Sequence, residues 1–183
     1  MTTHHTRVAV LLGSFREGSL NRRIAEHLRD NAPEGVVVDV VPGLTEVPFY
    51  NEEIDGPEAP ASAVALREAV AQADRVLAVT PEYNGTMPAV LNNAIDWLSR
   101  PYGQGAIVGK PFAAIGATPT PYGGKWSHEH ARHSATIAGA VVVEDIVVDE
   151  PAVDGDPLED EAAVRRFLGA LDALVAHQVE VAA

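Results

Sequence analysis

The sequence of 183 residues contains no cysteine. The chain therefore cannot form disulfides, thiolate metal sites, iron–sulfur ligation or a cysteine nucleophile, and any redox chemistry would need a borrowed cofactor. Positive charge is also scarce, because 13 lysines and arginines stand against 26 aspartates and glutamates. The resulting net charge of −13 repels phosphate backbones and anionic membrane surfaces. We therefore expect neither nucleic acid nor a membrane as a partner.

Long hydrophobic runs are missing as well. No apolar stretch approaches the ~18 residues of a membrane-spanning helix, and residues 1–7 are polar, without the apolar core of a signal peptide. We therefore expect a cytoplasmic protein. With 46% hydrophobic and 21% charged residues, the chain has the balance of a globular protein. Its length predicts one domain over residues 1–183, with residues 1–6 disordered.

Short apolar runs alternate with amphipathic segments along the chain. Continuous apolar strands that alternate with helices indicate a parallel sheet covered by helices on both faces. Five strands and five helices favour an α/β fold of the flavodoxin-like doubly wound type, a five-stranded parallel sheet of order 2-1-3-4-5. The predicted strands are 8–12, 36–41, 75–80, 111–117 and 140–148, the last with a possible break at 144–145. The predicted helices are 20–29, 63–73, 88–98, 126–138 and 158–179, with a long loop at 42–60 and a solvated acidic edge at 144–161.

The first strand–helix loop, residues 13–21, has the composition of an anion site. Free backbone N–H groups and the helix dipole attract anions at a helix start. Arg16 could add a bidentate cation, and Ser14, Ser19 and Asn21 could add neutral donors. Such a loop would suit a phosphate monoester, although the same serine and asparagine types also suit a capped turn.

Two nucleotide-binding motifs fail in this loop. Gly13 and Gly18 have the spacing of a Walker A motif, but Ser19 and Leu20 replace its lysine and hydroxyl residue, which argues against an NTPase. The G-x-G-x-x-G motif fails because residue 15 is phenylalanine. A hydrolase finds no support either, since no serine–histidine–acid arrangement is visible.

The second loop, residues 80–88, groups aromatic, amide, hydroxyl and carboxylate side chains. A flat amphipathic ring such as isoalloxazine needs apolar faces and polar partners at its edge, and such a loop could supply both. A turn punctuated by proline and glycine would explain Gly85. It would not explain Glu82, Tyr83 and Asn84 together.

These two loops resemble the two signatures of the NADPH-dependent FMN reductase family, which includes chromate, quinone and azo-dye reductases. The resemblance lies in GSFREGSLN at 13–21 and PEYNGTMPAVLNNAIDW at 81–97, with a further similarity in PFYNEEI at 48–54. It extends over most of the chain, from Val8 to about residue 140. Two departures are Asn92, where the family usually has lysine, and the less typical residues 126–129 after the third loop.

The resemblance implies an oxidoreductase that passes electrons from NADH or NADPH through bound FMN to a small-molecule acceptor. Quinones, free flavin, metal oxyanions and azo compounds are the acceptor classes. The implied FMN phosphate site is Ser14, Arg16, Ser19 and Asn21, the implied ring site is Pro81, Glu82, Tyr83, Asn84, Gly85 and Thr86, and Gly123 and Gly124 belong to the third loop at 118–125. No catalytic acid or base is assigned. The alternatives are an electron carrier like flavodoxin, without a nicotinamide site, and a flavodoxin-like binding domain without a redox role.

Three histidines, His128, His130 and His133, lie close together near the start of the fourth helix. The H-E-x-x-H motif fails because residue 132 is arginine. We expect solvated helix residues here and no metal.

An aromatic group lies at the end of the third helix. Trp97, Pro101 and Tyr102 could be core or part of a subunit interface, and on the interface interpretation we expect a homodimer or homotetramer. Tyr50 could approach the flavin site of its own or a partner subunit, or pack locally.

Overall fold

A computed structural model describes residues 5–178 and contains a parallel sheet with helices on both faces. The strands are β1 (Thr6–Leu12), β2 (Val36–Val40), β3 (Arg75–Val79), β4 (Pro111–Thr118), β5 (Val141–Val142) and β6 (Val148–Pro151). The helices are α1 (Leu20–Asp30), α2 (Ala61–Ala71), α3 (Ala89–Leu98), α4 (Lys125–Ile137) and α5 (Glu161–Ala176). The sheet order is β2-β1-β3-β4-β5, which confirms the predicted doubly wound topology.

Two short strands share the last position of the sheet. β5 pairs with the start of β4 at Pro111 and Phe112, and β6 pairs with its end, from Ile115 to Thr118. The interruption falls at Glu144 and Asp145, where the sequence indicated a break. The segment predicted as one strand is therefore two, and the second carries the sheet on to residue 151.

The ends of the chain differ in part from expectation. Residues 1–4 and 179–183 lie outside the described residues, so most of the predicted disorder at 1–6 and the last residue of the predicted final helix lie there too. Thr6, however, opens β1 opposite Val36. The final helix begins later than predicted because the Asp160 carboxylate caps it, accepting the Ala162 N–H at 2.9 Å.

The two faces of the sheet bury alternate residues of each strand. Ala9 and Leu11 of β1 pack with α2, α3 and α4, whereas Val8 and Val10 pack with α1 and α5. Burial on both faces explains why these strands read as continuous apolar runs. None of the helices within residues 5–178 has the length and apolar composition of a membrane span.

Glycines let three strands converge at the carboxyl edge of the sheet. A Cβ atom on Gly13 would stand 2.2 Å from Thr80 Oγ1, and one on Gly116 would stand 2.2 Å from the Thr80 carbonyl oxygen. The ends of β1, β3 and β4 therefore meet closely around Thr80. The strand order reverses between β1 and β3, and this is the edge at which doubly wound sheets bind ligands.

Candidate active site

A cavity of about 500 Å³ opens at this carboxyl edge. Four segments of the chain line it: residues from 14–23, 81–83, 117–120 and 152–156. The residues of the sequence-predicted site that it brings together are Ser14, Arg16, Ser19, Asn21, Pro81, Glu82 and Tyr83. The first and second loops thus meet around one space.

The remaining predicted residues lie elsewhere. Asn84 and Thr86 line a neighbouring cavity of about 740 Å³, together with Phe49 and Tyr50, and Tyr83 lines both cavities. Gly85, Gly123 and Gly124 are absent from the lining of either.

The first loop presents a row of free backbone donors. The N–H groups of residues 14–18, and those of Leu20 and Asn21, make no hydrogen bond to any other residue between 5 and 178. They surround the start of α1, where the helix dipole is positive. Arg16 is exposed and makes no ion pair within the same part of the chain. This arrangement can hold an anion such as a phosphate.

The side chains of Ser19 and Asn21 are engaged inside the protein. Ser19 Oγ caps α1 by accepting the Arg22 N–H at 3.3 Å. Asn21 is 3% exposed; its Nδ2 donates to the Ala117 carbonyl at 2.9 Å and its Oδ1 accepts the Ala117 N–H at 3.0 Å. These side chains fix the first turn of α1 against β4, so the capped-turn interpretation describes them well.

Glu82 joins the second loop to α4. Its Oε2 accepts the N–H groups of Trp126 at 3.0 Å and Ser127 at 3.3 Å. Gly124, the residue before the helix, has no side chain that could make these bonds. A carboxylate at this place satisfies free N–H groups and complements the helix dipole. No local pattern in the sequence indicates this contact, because the two segments are more than 40 residues apart.

A tight turn forms the tip of the second loop. The Tyr83 N–H donates to the Thr86 carbonyl at 3.0 Å and the Thr86 N–H donates to the Tyr83 carbonyl at 3.1 Å. Asn84 and Gly85 between them have φ angles of 55° and 73°, as in a type I′ turn, which prefers Asn-Gly. Turn chemistry therefore explains Asn84 as well as Gly85. The N–H groups of Asn84 and Gly85 have no partner within residues 5–178.

The expectation of solvated histidines is wrong for His128, which is fully buried. Its Nδ1 lies 2.6 Å from Asp149 Oδ1 and its Nε2 lies 3.1 Å from the Thr80 carbonyl oxygen. The carbonyl oxygen and the carboxylate both act as acceptors, so the ring is held between two acceptors inside the core. His130 Nδ1 hydrogen-bonds Thr86 Oγ1 at 2.8 Å. Within residues 5–178 no group of three or more potential ligands could hold a metal ion.

The segment 144–161 is also more than a solvated acidic edge. Glu150 is 7% exposed and accepts two hydrogen bonds from Arg166, at 2.9 and 2.8 Å. Asp156 Oδ2 lies 2.6 Å from Arg23 Nη1, and both of these residues line the 500 Å³ cavity. Sequence reasoning missed them, because the partners of these carboxylates lie on distant parts of the chain.

Trp97 belongs to the core rather than to a surface. It is fully buried, and its Nε1 donates to the Pro48 carbonyl at 2.8 Å. The Tyr50 ring packs edge-on against the Trp97 ring, with 5.0 Å between the ring centroids. Tyr50 therefore packs locally, and it also lines the 740 Å³ cavity. Of the predicted aromatic group, Tyr102 is 84% exposed.

Asp96 of α3 lies between the 740 Å³ cavity and a further cavity of about 450 Å³. Burial raises the pKa of this carboxyl, against the opposing effects of the Arg100 guanidinium and the Asn92 amide. The Asn92 Nδ2 donates to Asp96 Oδ2 at 3.1 Å.

Comparison with known proteins identifies the family. The family described as NADPH-dependent FMN reductase matches residues 6–153. A quinone reductase of Pseudomonas putida is 41% identical over 127 residues, which are 69% of this chain and 68% of that protein. A quinone reductase of Escherichia coli is 38% identical over 138 residues, 75% of this chain and 73% of that one.

A solved structure agrees with these relatives. FerB, a flavoenzyme NAD(P)H:(acceptor) oxidoreductase from Paracoccus denitrificans, matches with a TM-score of 0.77 and 31% identity, over 93% of this chain and 95% of that chain. The resemblance noted in the two loops is confirmed. The chain therefore belongs to the NADPH-dependent FMN reductase family, whose oxidoreductases work with FMN and a nicotinamide donor.

Proposed function

We propose that this chain is an FMN-dependent NAD(P)H oxidoreductase that reduces a small acceptor, with quinones as the first class to test. The observation that carries the proposal is the cavity at the carboxyl edge, where the free N–H groups of the first loop meet the second loop. Its volume of about 500 Å³ lies in the usual range of cofactor sites. The quinone reductases and the FerB flavoenzyme among the relatives support this chemistry.

The first loop would hold the FMN phosphate. In a chain with a net charge of −13, positive potential for an anion has to come from a local arrangement. The N–H groups of residues 14–18 and the start of α1 provide it, and Arg16 would add a charge-assisted bond. Ser14 would offer its hydroxyl. Asn21 would act through its backbone N–H, while its side chain and that of Ser19 keep the loop in shape.

The second and third loops would surround the ring. Pro81 and Tyr83 of the 500 Å³ cavity would bound its faces. Tyr83 also lines the 740 Å³ cavity, so the polar edge of the ring would point past Tyr83 toward the free N–H group of Asn84, which lines that cavity, and that of the adjacent Gly85. Gly123 would let the third loop pack closely against β6, since a Cβ there would stand 2.2 Å from the Asp149 carbonyl oxygen.

The chemistry that bound FMN supplies is the transfer of electrons from a nicotinamide to the acceptor. The residues of this chain would bind and orient the ring, and the free backbone N–H groups of Asn84 and Gly85 would stabilise negative charge on it. Glu82 is engaged at the start of α4, so we give it no proton-transfer role. We assign no other acid or base.

The proposal extends to the setting of the enzyme. We propose that the whole chain is one FMN-binding domain in the cytoplasm, where NAD(P)H is available, and that it forms a homodimer or homotetramer. Trp97 lends no support to an interface, because it is buried. The support comes from the rim of the 450 Å³ cavity, where Tyr102, Ile137 and Val108 are 84%, 71% and 38% exposed. Light scattering should give at least twice the mass of one chain; a monomer at micromolar concentration would refute this part.

Anaerobic mixing of the FMN-loaded protein with NADPH, and separately with NADH, tests the function. We expect at least one of them to bleach the flavin absorbance and a benzoquinone to restore it. Flavin that binds but is reduced by neither nicotinamide within minutes would make the chain an electron carrier. Failure to take up FMN at micromolar concentration would refute the cofactor assignment itself.

A further inference from the structure

Asp156 places a carboxylate in the wall of the cavity proposed to hold the phosphate. Its Oδ2 lies 2.6 Å from Arg23 Nη1, and its Oδ1 accepts the Leu158 N–H at 3.0 Å. Both carboxylate oxygens are therefore engaged. Arg23 and Asp156 line the same cavity as Ser14 and Arg16. The carboxylate thus borders the same cavity as the first loop, whose free N–H groups are suited to an anion.

We propose that Arg23 is a second cation of the phosphate site and that Asp156 is a built-in stand-in for the phosphate, which neutralises Arg23 in the free protein and competes with the ligand for it. This inference rests on the proposed function, because it needs a phosphate-bearing ligand in this cavity. It adds two residues to the site that neither the family signatures nor the sequence pattern indicated. It also means that the charge of one carboxylate, that of Asp156, lowers the affinity of the site for the phosphate.

The two partners differ in their freedom to move. The Arg23 side chain is 47% exposed, whereas that of Asp156 is 21% exposed and also tied to the backbone at Leu158. Arg23 is the more exposed partner, and its side chain has no second ion pair within residues 5–178. Its backbone N–H donates to the Ser19 carbonyl, so its side chain starts within the first turn of α1. A guanidinium can engage a phosphate through two parallel hydrogen bonds, which the contact with Asp156 would otherwise occupy.

Asp156 and Glu82 are the acidic residues that line this cavity, and Glu82 is engaged at the start of α4. Exposed charges are screened over about 10 Å at 0.1 M salt, so a remote carboxylate has little influence on the phosphate. Asp156 lines the same cavity as Ser14 and Arg16, so a phosphate held by the first loop would face it across that cavity. Its charge should therefore weaken the binding of FMN and leave riboflavin, which has no phosphate, unaffected.

The test is a flavin fluorescence titration of the full chain with FMN and with riboflavin. Asp156→Asn removes the charge and keeps an oxygen that can accept the Leu158 N–H. At low salt it should bind FMN about three- to tenfold more tightly, a difference that shrinks as salt is raised. Arg23→Ala should weaken FMN about tenfold. Adding Asp156→Asn to Arg23→Ala should recover much of that loss, because the unpaired carboxylate is then gone.

Asp154→Asn is the matched control. Asp154 is exposed on the same segment and does not line this cavity, so water solvates its charge more fully than that of Asp156. The same charge change should therefore raise FMN affinity clearly less than Asp156→Asn does at each salt concentration. Riboflavin affinity should stay within about twofold in every variant. Thermal unfolding of the ligand-free variants checks that the segment 152–160 remains folded.

Three results would overturn the inference. The first is an Asp156→Asn variant that binds FMN no more tightly than the parent, and the second is an Arg23→Ala variant with unchanged FMN binding. The third is a loss of affinity in Arg23→Ala that is equal for FMN and riboflavin, as expected for an ion pair with a purely structural role. If one of these results were found and Arg16→Ala still weakened FMN but not riboflavin, the proposed phosphate site would be retained and only the role of Arg23 and Asp156 would be rejected. If the parent chain bound FMN no better than riboflavin, the phosphate site itself would fail, and the inference with it.

Discussion

The first and second loops of the site follow neighbouring strands, yet they use their polar groups in opposite ways. In the first loop, the N–H groups of residues 14–18 have no partner within residues 5–178. In the second, Glu82 caps α4 and Tyr83 and Thr86 bond to each other across the turn. The Pro81 carbonyl accepts the hydroxyls of Thr80 at 3.0 Å and Ser127 at 2.8 Å. The first loop is open to a ligand, whereas the second is largely closed on the protein itself.

This difference separates the groups that are free to bind a ligand from the groups that hold the loops in shape. A change to a free group of the first loop should alter phosphate affinity without loss of stability. A change to an engaged group of either loop should lower stability and affect FMN and riboflavin alike. The following variants test the distinction, from the largest expected effect to the smallest.

Gly13→Ala should disrupt the place where both loops begin. The new Cβ would stand 2.2 Å from Thr80 Oγ1 and 2.8 Å from Thr80 Cβ, so β1 and β3 would have to separate. We expect the free energy of unfolding to fall by about 3 kcal/mol and both flavins to bind more weakly. Urea unfolding and flavin titration measure the two effects. Gly56→Ala is the control, because a Cβ at Gly56 would meet nothing within 4 Å. A Gly13→Ala protein as stable as its parent would contradict the close approach.

Asn21→Ala should act on stability, although Asn21 lies in the open loop. The change leaves the buried N–H and carbonyl of Ala117 without their partner, which costs about 2–3 kcal/mol of unfolding free energy. FMN and riboflavin should weaken to the same degree. Asn31→Ala, at the exposed other end of α1, should cost less than about 1 kcal/mol. A selective loss of FMN with unchanged stability would instead make the Asn21 side chain a phosphate ligand.

Glu82 variants test the closed loop. Glu82→Ala removes the acceptor for the Trp126 and Ser127 N–H groups, so we expect a loss of about 1–2 kcal/mol in unfolding free energy. Glu82→Gln keeps an acceptor oxygen and loses only the charge at the helix start, so its loss should stay below about 1 kcal/mol. Weakened flavin binding in Glu82→Ala at full stability would show that the carboxylate serves the ligand rather than the helix.

Asp96→Asn should have the smallest effect and the opposite sign. Burial raises the pKa of Asp96 in the folded state, so the folded chain keeps the Asp96 carboxyl protonated to higher pH than the unfolded chain does. The protonated carboxyl costs the folded state little, and this part of the stability is lost as pH rises through the folded pKa, where the buried group becomes charged. At pH 7 the variant should be more stable by less than about 1 kcal/mol, after allowance for partial exposure. The advantage should vanish below the ordinary carboxyl pKa of 3.8. Urea unfolding of the parent and the variant at pH 7 and below pH 3.8 measures this difference. A variant less stable than the parent at pH 7 would contradict the prediction.

Much of the fold could be predicted from the sequence, because apolar runs and helical periodicity are local features. The strand order and the break at Glu144 and Asp145 followed from them. The strand order and the loop composition also predicted that the first and second loops meet at the carboxyl edge, where the structure has a cavity. The type I′ turn at Asn84 and Gly85 is also predictable, since Asn-Gly is the strongest sequence signal for that turn.

The division of labour inside the site could not be predicted in this way. Asn21 bonds to Ala117, Glu82 to Trp126, and Asp156 to Arg23, and each partner lies on another segment of the fold. A polar side chain in a loop looks the same in the sequence whether it faces a ligand or a distant backbone group. Only the folded arrangement distinguishes the two cases.

The most direct measurement of the central claim is the titration of the parent chain and Arg16→Ala with FMN and with riboflavin. Arg16 is exposed and makes no ion pair within residues 5–178, so its removal should leave stability unchanged. A charge-assisted hydrogen bond contributes about 1.5–3 kcal/mol, so FMN should bind about tenfold to a hundredfold more weakly and riboflavin should bind as before. Equal losses for the two flavins, or a parent chain that binds them equally well, would show that the first loop is a structural turn and that the phosphate lies elsewhere.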